Sequence, residues 1–251
     1  MFLFGVVNCS PDSLHTESIA VDHESAAKRV AWLLANGANG IDLGGQGSTD
    51  IATVVDPDEE WERITRVIDA VIAPGVPVSV DTWKPEVARR ALAAGIGWLN
   101  AADGLQTDDM LEVAAEFSCP VVVPFLHGPD PRRLRHLDDG DDPVDVMLHW
   151  FDAVLGRAEQ LGVRERCIVD PGTGFAPSNW PWEQRYLFQK HVYSNLDRLR
   201  VFELPIYIAL PWKDTVQHAE LLDIVIEADV DYGRSHYPDR VRAAMARLGR
   251  G

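Results

Sequence analysis

The stretch VPVSVDTWKPEVA, residues 76–88, contains one complete structural unit of this chain. Its first residues, VPVSV, are apolar enough to form a buried β-strand, and this strand ends at Asp81. Pro85 follows at a position typical of the first turn of a helix, and PEVARRALAAG continues with helical periodicity. The stretch therefore predicts a strand, a short loop and a helix, with a carboxylate where the strand stops.

The same unit recurs along the whole chain. Proline near helix starts, as at Pro57, and glycine after helix ends, as at Gly37, Gly95 and Gly162, separate the units. Strands that are apolar on both faces pair in parallel beneath helices. Eight units predict a single-domain (β/α)8 TIM barrel over residues 1–251, with an open doubly wound sheet as the alternative. The other predicted strands are LFGVVN, GIDLG, GWLNA, PVVVPFL, CIVDP, PIYIAL and VDYGR.

The charge balance limits the class of partner. Asp and Glu number 39 against 23 Lys and Arg, giving a formal net charge of -16, which argues against a broad contact with nucleic acid or an anionic membrane. Cys9, Cys119 and Cys167 lack the spacing of a disulfide framework or a zinc site, so a reducing, cytoplasmic setting is expected. No signal-peptide pattern is present, and no apolar run approaches the roughly 18 residues of a membrane span.

Polar side chains stand at the ends of the predicted strands, where a (β/α)8 barrel forms its active site. Singly, each has a simpler explanation, since Asp81 or Thr82 suits a helix N-cap and Asp170 suits a turn. Together, inward carboxylates, an amide and a lysine need a ligand or one another. The candidate residues are Asn8, Asp42, Asp81, Asn100, Asp170, Lys213, Arg234 and His236.

The chemistry of these side chains indicates a flat ligand. A carboxylate accepts two N–H groups in one plane, and an amide donates and accepts side by side. Asp81, Asp170 and Asn100 therefore suit a heterocycle with amino and lactam edges, such as a pterin or guanine. A lysine at position 213 suits a ring carbonyl or nitrogen, and the Arg-Ser-His segment at 234–236 suits an anion such as diphosphate.

Five motifs, in order along the chain, resemble those of dihydropteroate synthases. They are GVVNCSPDSL, GIDLGGQGST, VPVSVDTWKPEVARRALAAG, WLNAADG and IVDPGTGF, and the resemblance extends from Phe4 to about His236. It implies a pterin-binding TIM barrel that condenses 6-hydroxymethyl-7,8-dihydropterin diphosphate with p-aminobenzoate or another amine and releases pyrophosphate.

The resemblance also implies a role for each candidate residue. The residues expected to bind the pterin are Asp81, Asn100, Asp170 and Lys213. Those expected to bind the diphosphate are Asn8, Thr49, Arg234 and His236, and Asn8 is also the expected ligand of Mg2+. The residues expected to act in catalysis are Lys213, Arg234 and His236.

The loops that by the resemblance would surround p-aminobenzoate depart from the family pattern. Asp50 stands where the family has an arginine, Trp212 replaces the arginine before the lysine, and no lysine follows GF in GFAPSNW. A carboxylate at position 50 repels both a carboxylate and a diphosphate at close range. The aromatic segment NWPWEQRYLFQKHVYSNLDRL suits core or interface packing, or a rebuilt pocket for a second substrate.

Three hypotheses remain open at this point. The first is a divergent transferase that uses a pterin diphosphate and p-aminobenzoate or another amine. The second is a pterin- or folate-binding enzyme of other chemistry, or a non-catalytic paralogue, and the third is an unrelated barrel with a structural polar rim. The apolar face of HAELLDIVIEA suits a homodimer interface and core packing equally well.

The substitution Asp50→Arg tests whether the carboxylate in the loop after GIDLG hinders the use of p-aminobenzoate. It removes the repulsive carboxylate, so the rate of pyrophosphate release with p-aminobenzoate should rise. Steady-state kinetics of the variant and the wild type measure this effect. An unchanged rate would remove Asp50 from the explanation of amine choice.

Overall fold

The computed structural model describes residues 1–11, 16–48, 52–138, 140–177 and 179–250, over which strands and helices alternate. The strands are β1 Phe2–Asn8, β2 Gly40–Gly44, β3 Val78–Thr82, β4 Trp98–Ala101, β5 Val121–Pro124, β6 Cys167–Asp170, β7 Tyr207–Ala209 and β8 Tyr232–Ser235. The helices are α1 His23–Ala35, α2 Pro57–Thr65, α3 Ile68–Ile72, α4 Pro85–Ala93, α5 Asp108–Phe117, α6 Pro143–Gln160, α7 Trp182–Tyr193, α8 Val216–Glu227 and α9 Pro238–Arg247.

The eight strands form one parallel sheet that closes on itself. Their order is β6-β5-β4-β3-β2-β1-β8-β7, and β1 pairs with both β2 and β8. The two ends meet where Val169 pairs with Ile206 in a parallel bridge and donates its N–H to Pro205 O at 2.9 Å. This closure confirms the (β/α)8 barrel and excludes the open sheet.

The helices confirm most predicted boundaries. Pro57 and Pro85 occupy the first turns of α2 and α4, and Gly95 ends its helix with a φ of 102°. The periodicity of PDEEWERITRVIDAVI predicts one helix, but this segment forms two helices, because Val67 leaves the helical conformation with ψ at -16° and φ at -125°. No helix among the described residues is long and apolar enough to cross a membrane.

Aromatic side chains fill the lower half of the barrel interior. The ring of Phe4 lies 5.2 Å from Trp98 and 6.1 Å from Tyr207, centroid to centroid, and Tyr232 lies 5.4 Å from Trp98. Offset and edge-on aromatic contacts of this kind add specific geometry to apolar burial. The barrel interior is therefore filled at the amino ends of the strands, and we expect a ligand to enter from the carboxyl ends.

The outer helices use the aromatic and apolar segments noted in the sequence for packing. On α7, Trp182 stacks on His218 of α8 at 4.3 Å, and Lys190 pairs with Glu220 at 2.6 Å. On α8, the side chains of Leu221 and Val225 are fully buried. The apolar face of HAELLDIVIEA thus belongs to the core of this chain.

A buried ion pair fixes the end of β3 to α2. Glu60 has no exposed surface, and its carboxylate lies 2.7 Å from Lys84 Nζ and accepts from Thr82 Oγ1 at 2.8 Å. Lys84 Nζ also donates to Gln46 Oε1 at 2.6 Å and to Val55 O. The network therefore ties the loop after β2 to the strand that carries Asp81.

The variant Glu60→Gln should lower the free energy of unfolding by about 3 kcal/mol, because it leaves the Lys84 ammonium buried without its carboxylate. Chemical denaturation measures this loss. Glu116→Gln is the matched control, since Glu116 pairs with Arg89 where both side chains are about half exposed, and its cost should stay below about 1 kcal/mol. Equal costs for the two variants would contradict the structural role of Glu60.

Candidate functional site

Five polar side chains of the predicted set converge inside the upper end of the barrel. Strand register places Gly44 opposite Asp81 and Asp81 opposite Asn100, so these three residues lie side by side on the inner face of the barrel. Side chains alternate between the two faces along each strand, so the next inward residue is two positions away. Asp42 lies one layer below, opposite Ser79. The converging residues are Asp42, Asp81, Asn100, Asp170 and Arg234.

Arg234 lies at the centre of this group. Its Nε donates to Asp42 Oδ2, and its Nη2 donates to Asp81 Oδ2 at 2.9 Å. One guanidinium thus binds two carboxylates from β2 and β3. The resemblance implied a diphosphate contact for Arg234, whereas the structure directs two of its nitrogens to the carboxylates below.

Asp42 is the most fully bonded carboxylate of the site. It is completely buried and accepts from Ser79 Oγ, from Arg234 and, at 3.4 Å, from Asn100 Nδ2. Asp42 is among the rim residues that the sequence predicts, but neither its side chain nor the family resemblance assigns it a role. Its position in the middle of the apolar strand GIDLG, rather than at the end, is the signal that distinguishes it.

Asp170 is buried at the end of β6 with little compensation. Its Oδ1 accepts from the N–H of Gly172 at 2.8 Å, so the simpler explanation, turn chemistry, holds for one of its oxygens. Burial raises the pKa of Asp170 to about 7, and the nearby Asp81 adds to the effect while Arg234 opposes it. Burial likewise raises the pKa of Asp81, again against Arg234.

The charge count of the site follows from these contacts. Three carboxylates share one guanidinium, so the site carries more negative than positive charge when all are ionised. Removing such groups from water is unfavourable unless protons or N–H donors compensate them. The site therefore favours a ligand rich in N–H groups.

His236, directly after β8, is held by a second network that involves α1 and the segment before it. Its Nδ1 shares a hydrogen bond of 2.7 Å with Ser18 Oγ, and its carbonyl accepts from Arg29 Nη2 at 2.7 Å. Arg29 is buried and also donates to Ser18 Oγ at 3.2 Å and to Val6 O at 3.3 Å. The sequence gave no signal for Arg29 or Ser18, which connect α1 and the first loop to His236.

The remaining predicted residues lie farther toward the rim. Lys213 is exposed, with its ammonium 5.4 Å from the ring centroid of Trp212 and 6.0 Å from that of Trp182. Asn8 is half-buried at the end of β1. Thr49 and Asp50 lie outside the described residues.

The variant Asp170→Asn tests the electrostatics of the unliganded site. Because the pKa of Asp170 is raised, the folded state holds a proton that the unfolded state releases between pH 4 and about 7, so stability falls as pH rises through this window. Asparagine keeps an acceptor for Gly172 and cannot ionise. At pH 8 the free energy of unfolding of the variant should exceed that of the wild type by roughly 2 kcal/mol, and at pH 4 the two values should be equal. Denaturation at both pH values measures it, and a less stable variant at pH 8 would show that the carboxylate is structural.

Known proteins share both the sequence pattern and this architecture. The profile of the family described as pterin binding enzyme matches residues 4–228. Dihydropteroate synthase type-1 of Escherichia coli is 30% identical over 260 aligned residues, covering 97% of this chain and 91% of the relative. Dihydropteroate synthase of Yersinia pestis, solved as a sulfonamide drug complex, has a TM-score of 0.84 at 25% identity, over 99% of this chain and 92% of that one.

A further solved relative carries a small aromatic amine. The dihydropteroate synthase of Thermus thermophilus, in complex with 4-aminobenzoate, has a TM-score of 0.78 at 28% identity, over 99% of this chain and 93% of that one. The sequence motifs, the closed barrel and the likeness to these relatives all point to the same family, and the likeness covers nearly the whole length of this chain. The chain therefore belongs to the dihydropteroate synthase family of pterin-binding enzymes.

Proposed function

We propose that this chain condenses 6-hydroxymethyl-7,8-dihydropterin diphosphate with an arylamine such as p-aminobenzoate and releases pyrophosphate. The observation that carries the proposal is the convergence of Asp81, Asn100 and Asp170 beside Arg234 in a barrel of the dihydropteroate synthase family. A pterin ring supplies the N–H groups that this surplus of carboxylates requires. The 1–251 chain would act as one catalytic domain.

In this proposal the pterin lies on the buried carboxylates. Asp170 has one oxygen on Gly172 and would accept ring N–H groups with the other. Asp81 gives Oδ2 to Arg234 and would use its second oxygen in the same way. Asn100 would turn its amide oxygen toward the ring, since its Nδ2 already faces Asp42. Lys213 would reach the ring from the rim by leaving its contacts with the two tryptophans.

The diphosphate would be bound above the pterin. Nε and Nη2 of Arg234 donate to Asp42 and Asp81, and its Nη1 makes no hydrogen bond to the described part of the chain. Nη1 would therefore reach a phosphate oxygen. His236 follows two residues later and would bind the same anion. Thr49 would add a hydroxyl from the second loop, as the family resemblance implies.

Magnesium fits the same end of the barrel. Among the described residues no three His, Cys, Asp or Glu side chains form a metal cage. Mg2+ is usually held by one or two protein oxygens together with substrate phosphates and water, and Asn8 offers one amide oxygen at the end of β1. When bound, the ion would offset negative charge on the departing pyrophosphate.

The proposed reaction needs no side-chain nucleophile. The C–O bond between the pterin methylene and the diphosphate breaks, and its electron pair leaves on the phosphate oxygen. The amine nitrogen then forms a C–N bond to the methylene and loses a proton to solvent. Arg234 and His236 stabilise the leaving anion, while the buried carboxylates hold an electron-rich ring that tolerates positive charge at the methylene.

Two further elements belong to the proposal. A homodimer is proposed by analogy with the family, and since the apolar face of α8 is buried in the core, exposed Leu187 and Val216 on α7 and α8 are the residues offered for it. A cytoplasmic setting is proposed from the three buried, unpaired cysteines.

The test is pyrophosphate release by the purified protein from the pterin diphosphate, p-aminobenzoate and Mg2+. Asp170→Asn should weaken binding of 6-hydroxymethylpterin by roughly tenfold or more, because it removes charge-assisted hydrogen bonds to the ring. Asp109→Asn is the matched control, since Asp109 is exposed on α5, and it should bind as the wild type does.

The outcomes separate the hypotheses. In one outcome the protein binds the pterin tightly and releases no pyrophosphate with p-aminobenzoate or with any of a panel of other amines. This outcome would support the alternative of a pterin-binding protein with different chemistry. Absence of pterin binding by the wild type would reject both functions.

A further inference from the structure

Tyr207 on β7 has a buried hydroxyl without a partner. The residue is 1% exposed, and its OH makes no hydrogen bond to the described part of the chain. Buried polar groups are nearly always bonded, so an orphaned hydroxyl indicates either a bound water or a group that meets a ligand. The strand PIYIAL gave no sign of this, because a tyrosine in an apolar strand is expected to pack.

The position of Tyr207 favours a ligand. Its ring packs on Phe4 in the aromatic layer, and the strand register places Tyr207 beside Tyr232 while the next inward residue, Ala209, lies beside Arg234. Tyr207 thus lies directly below the layer of charged side chains. Burial raises its pKa well above the ordinary value, and the charges of Asp42 and Asp170 act in the same direction.

The other buried atoms without hydrogen bonds lie elsewhere in the described part of the chain. Glu60 Oε2 is paired with Lys84, and Gln46 Nε2 belongs to an amide whose oxygen Lys84 fixes. Arg185 Nε belongs to a guanidinium that binds Gly174 O on α7's side of the barrel. Of the four atoms, the Tyr207 hydroxyl is the one inside the barrel beneath the carboxylates.

We propose that the Tyr207 hydroxyl forms the floor of the heterocycle site and selects a ring with a polar group at its deepest edge. This inference rests on the proposed function and adds a specificity determinant to it. A neutral hydroxyl both donates and accepts, so it serves an exocyclic amino group or a ring carbonyl. A ring that presents C–H at this edge leaves the hydroxyl unbonded and is rejected, because unpaired buried polar groups make such sites selective.

The experiment compares three rings on three proteins. The wild type, Tyr207→Phe and Tyr232→Phe are each titrated with 6-hydroxymethylpterin, with its analogue lacking the exocyclic amino group, and with its analogue lacking the ring carbonyl. Tyr232→Phe is the matched control, because it removes a hydroxyl from the neighbouring ring of the aromatic layer.

Tyr207→Phe should bind 6-hydroxymethylpterin about tenfold more weakly, as expected for one lost buried hydrogen bond. It should bind one of the two analogues as well as the wild type does, so that discrimination against that analogue is lost. Tyr232→Phe should retain wild-type affinity and discrimination. Equal discrimination by Tyr207→Phe and the wild type would overturn the inference.

Thermal unfolding without ligand gives an independent readout. Phenylalanine removes only the orphaned hydroxyl, so the Tm of Tyr207→Phe should equal or exceed that of the wild type. A fall of about 4 °C or more would show that the hydroxyl has a structural partner such as a bound water, and would overturn the inference. If the wild type itself binds none of the three rings, the proposed function fails, whereas wild-type binding with an unaffected Tyr207→Phe rejects the role of Tyr207 alone.

Discussion

The binding of one guanidinium by two carboxylates inside the barrel is the constraint on which the site depends. Arg234 joins β8 to β2 and β3 through Asp42 and Asp81, side chains that repel one another without it. Asp170 brings a further carboxylate, so the excess negative charge is either removed by protons or compensated by hydrogen bonds from a ligand's N–H groups. The same arrangement therefore explains the raised pKa values, the preference for an amino-edged ring and the limited freedom of Arg234.

The barrel interior has two layers, an aromatic layer at the amino ends of the strands and a polar layer at their carboxyl ends. Below, the ring cluster around Phe4 and Trp98 fills the interior. Above it, the inward positions become polar within one strand repeat, from Trp98 to Asn100 on β4 and from Tyr232 to Arg234 on β8. Tyr207 lies where the two layers meet, with its ring in one and its hydroxyl toward the other. The ligand's deepest edge would meet this boundary.

The fold was predictable because most of its strands and helices have a local signal. Pro57 and Pro85 mark helix starts, and uniformly apolar strands indicate a parallel sheet that is buried on both faces. Asp81, Asn100 and Asp170 were predictable as a group, since strand ends meet at one rim. The partners were not, because hydrogen bonds such as that from Arg29 to His236 span 207 residues and leave no periodic trace. The break at Val67 was also missed, since the apolar pattern continues through it.

The order of residues along the chain has a consequence for synthesis of the protein. The carboxylates at positions 42, 81 and 170 leave the ribosome before the guanidinium at position 234, which pairs with the first two and arrives with the last strand. Until then, a nascent barrel would collect like charges around an open seam between β7 and β1. The final strand thus closes the wall and, in the same step, brings the guanidinium that pairs with two of the three carboxylates.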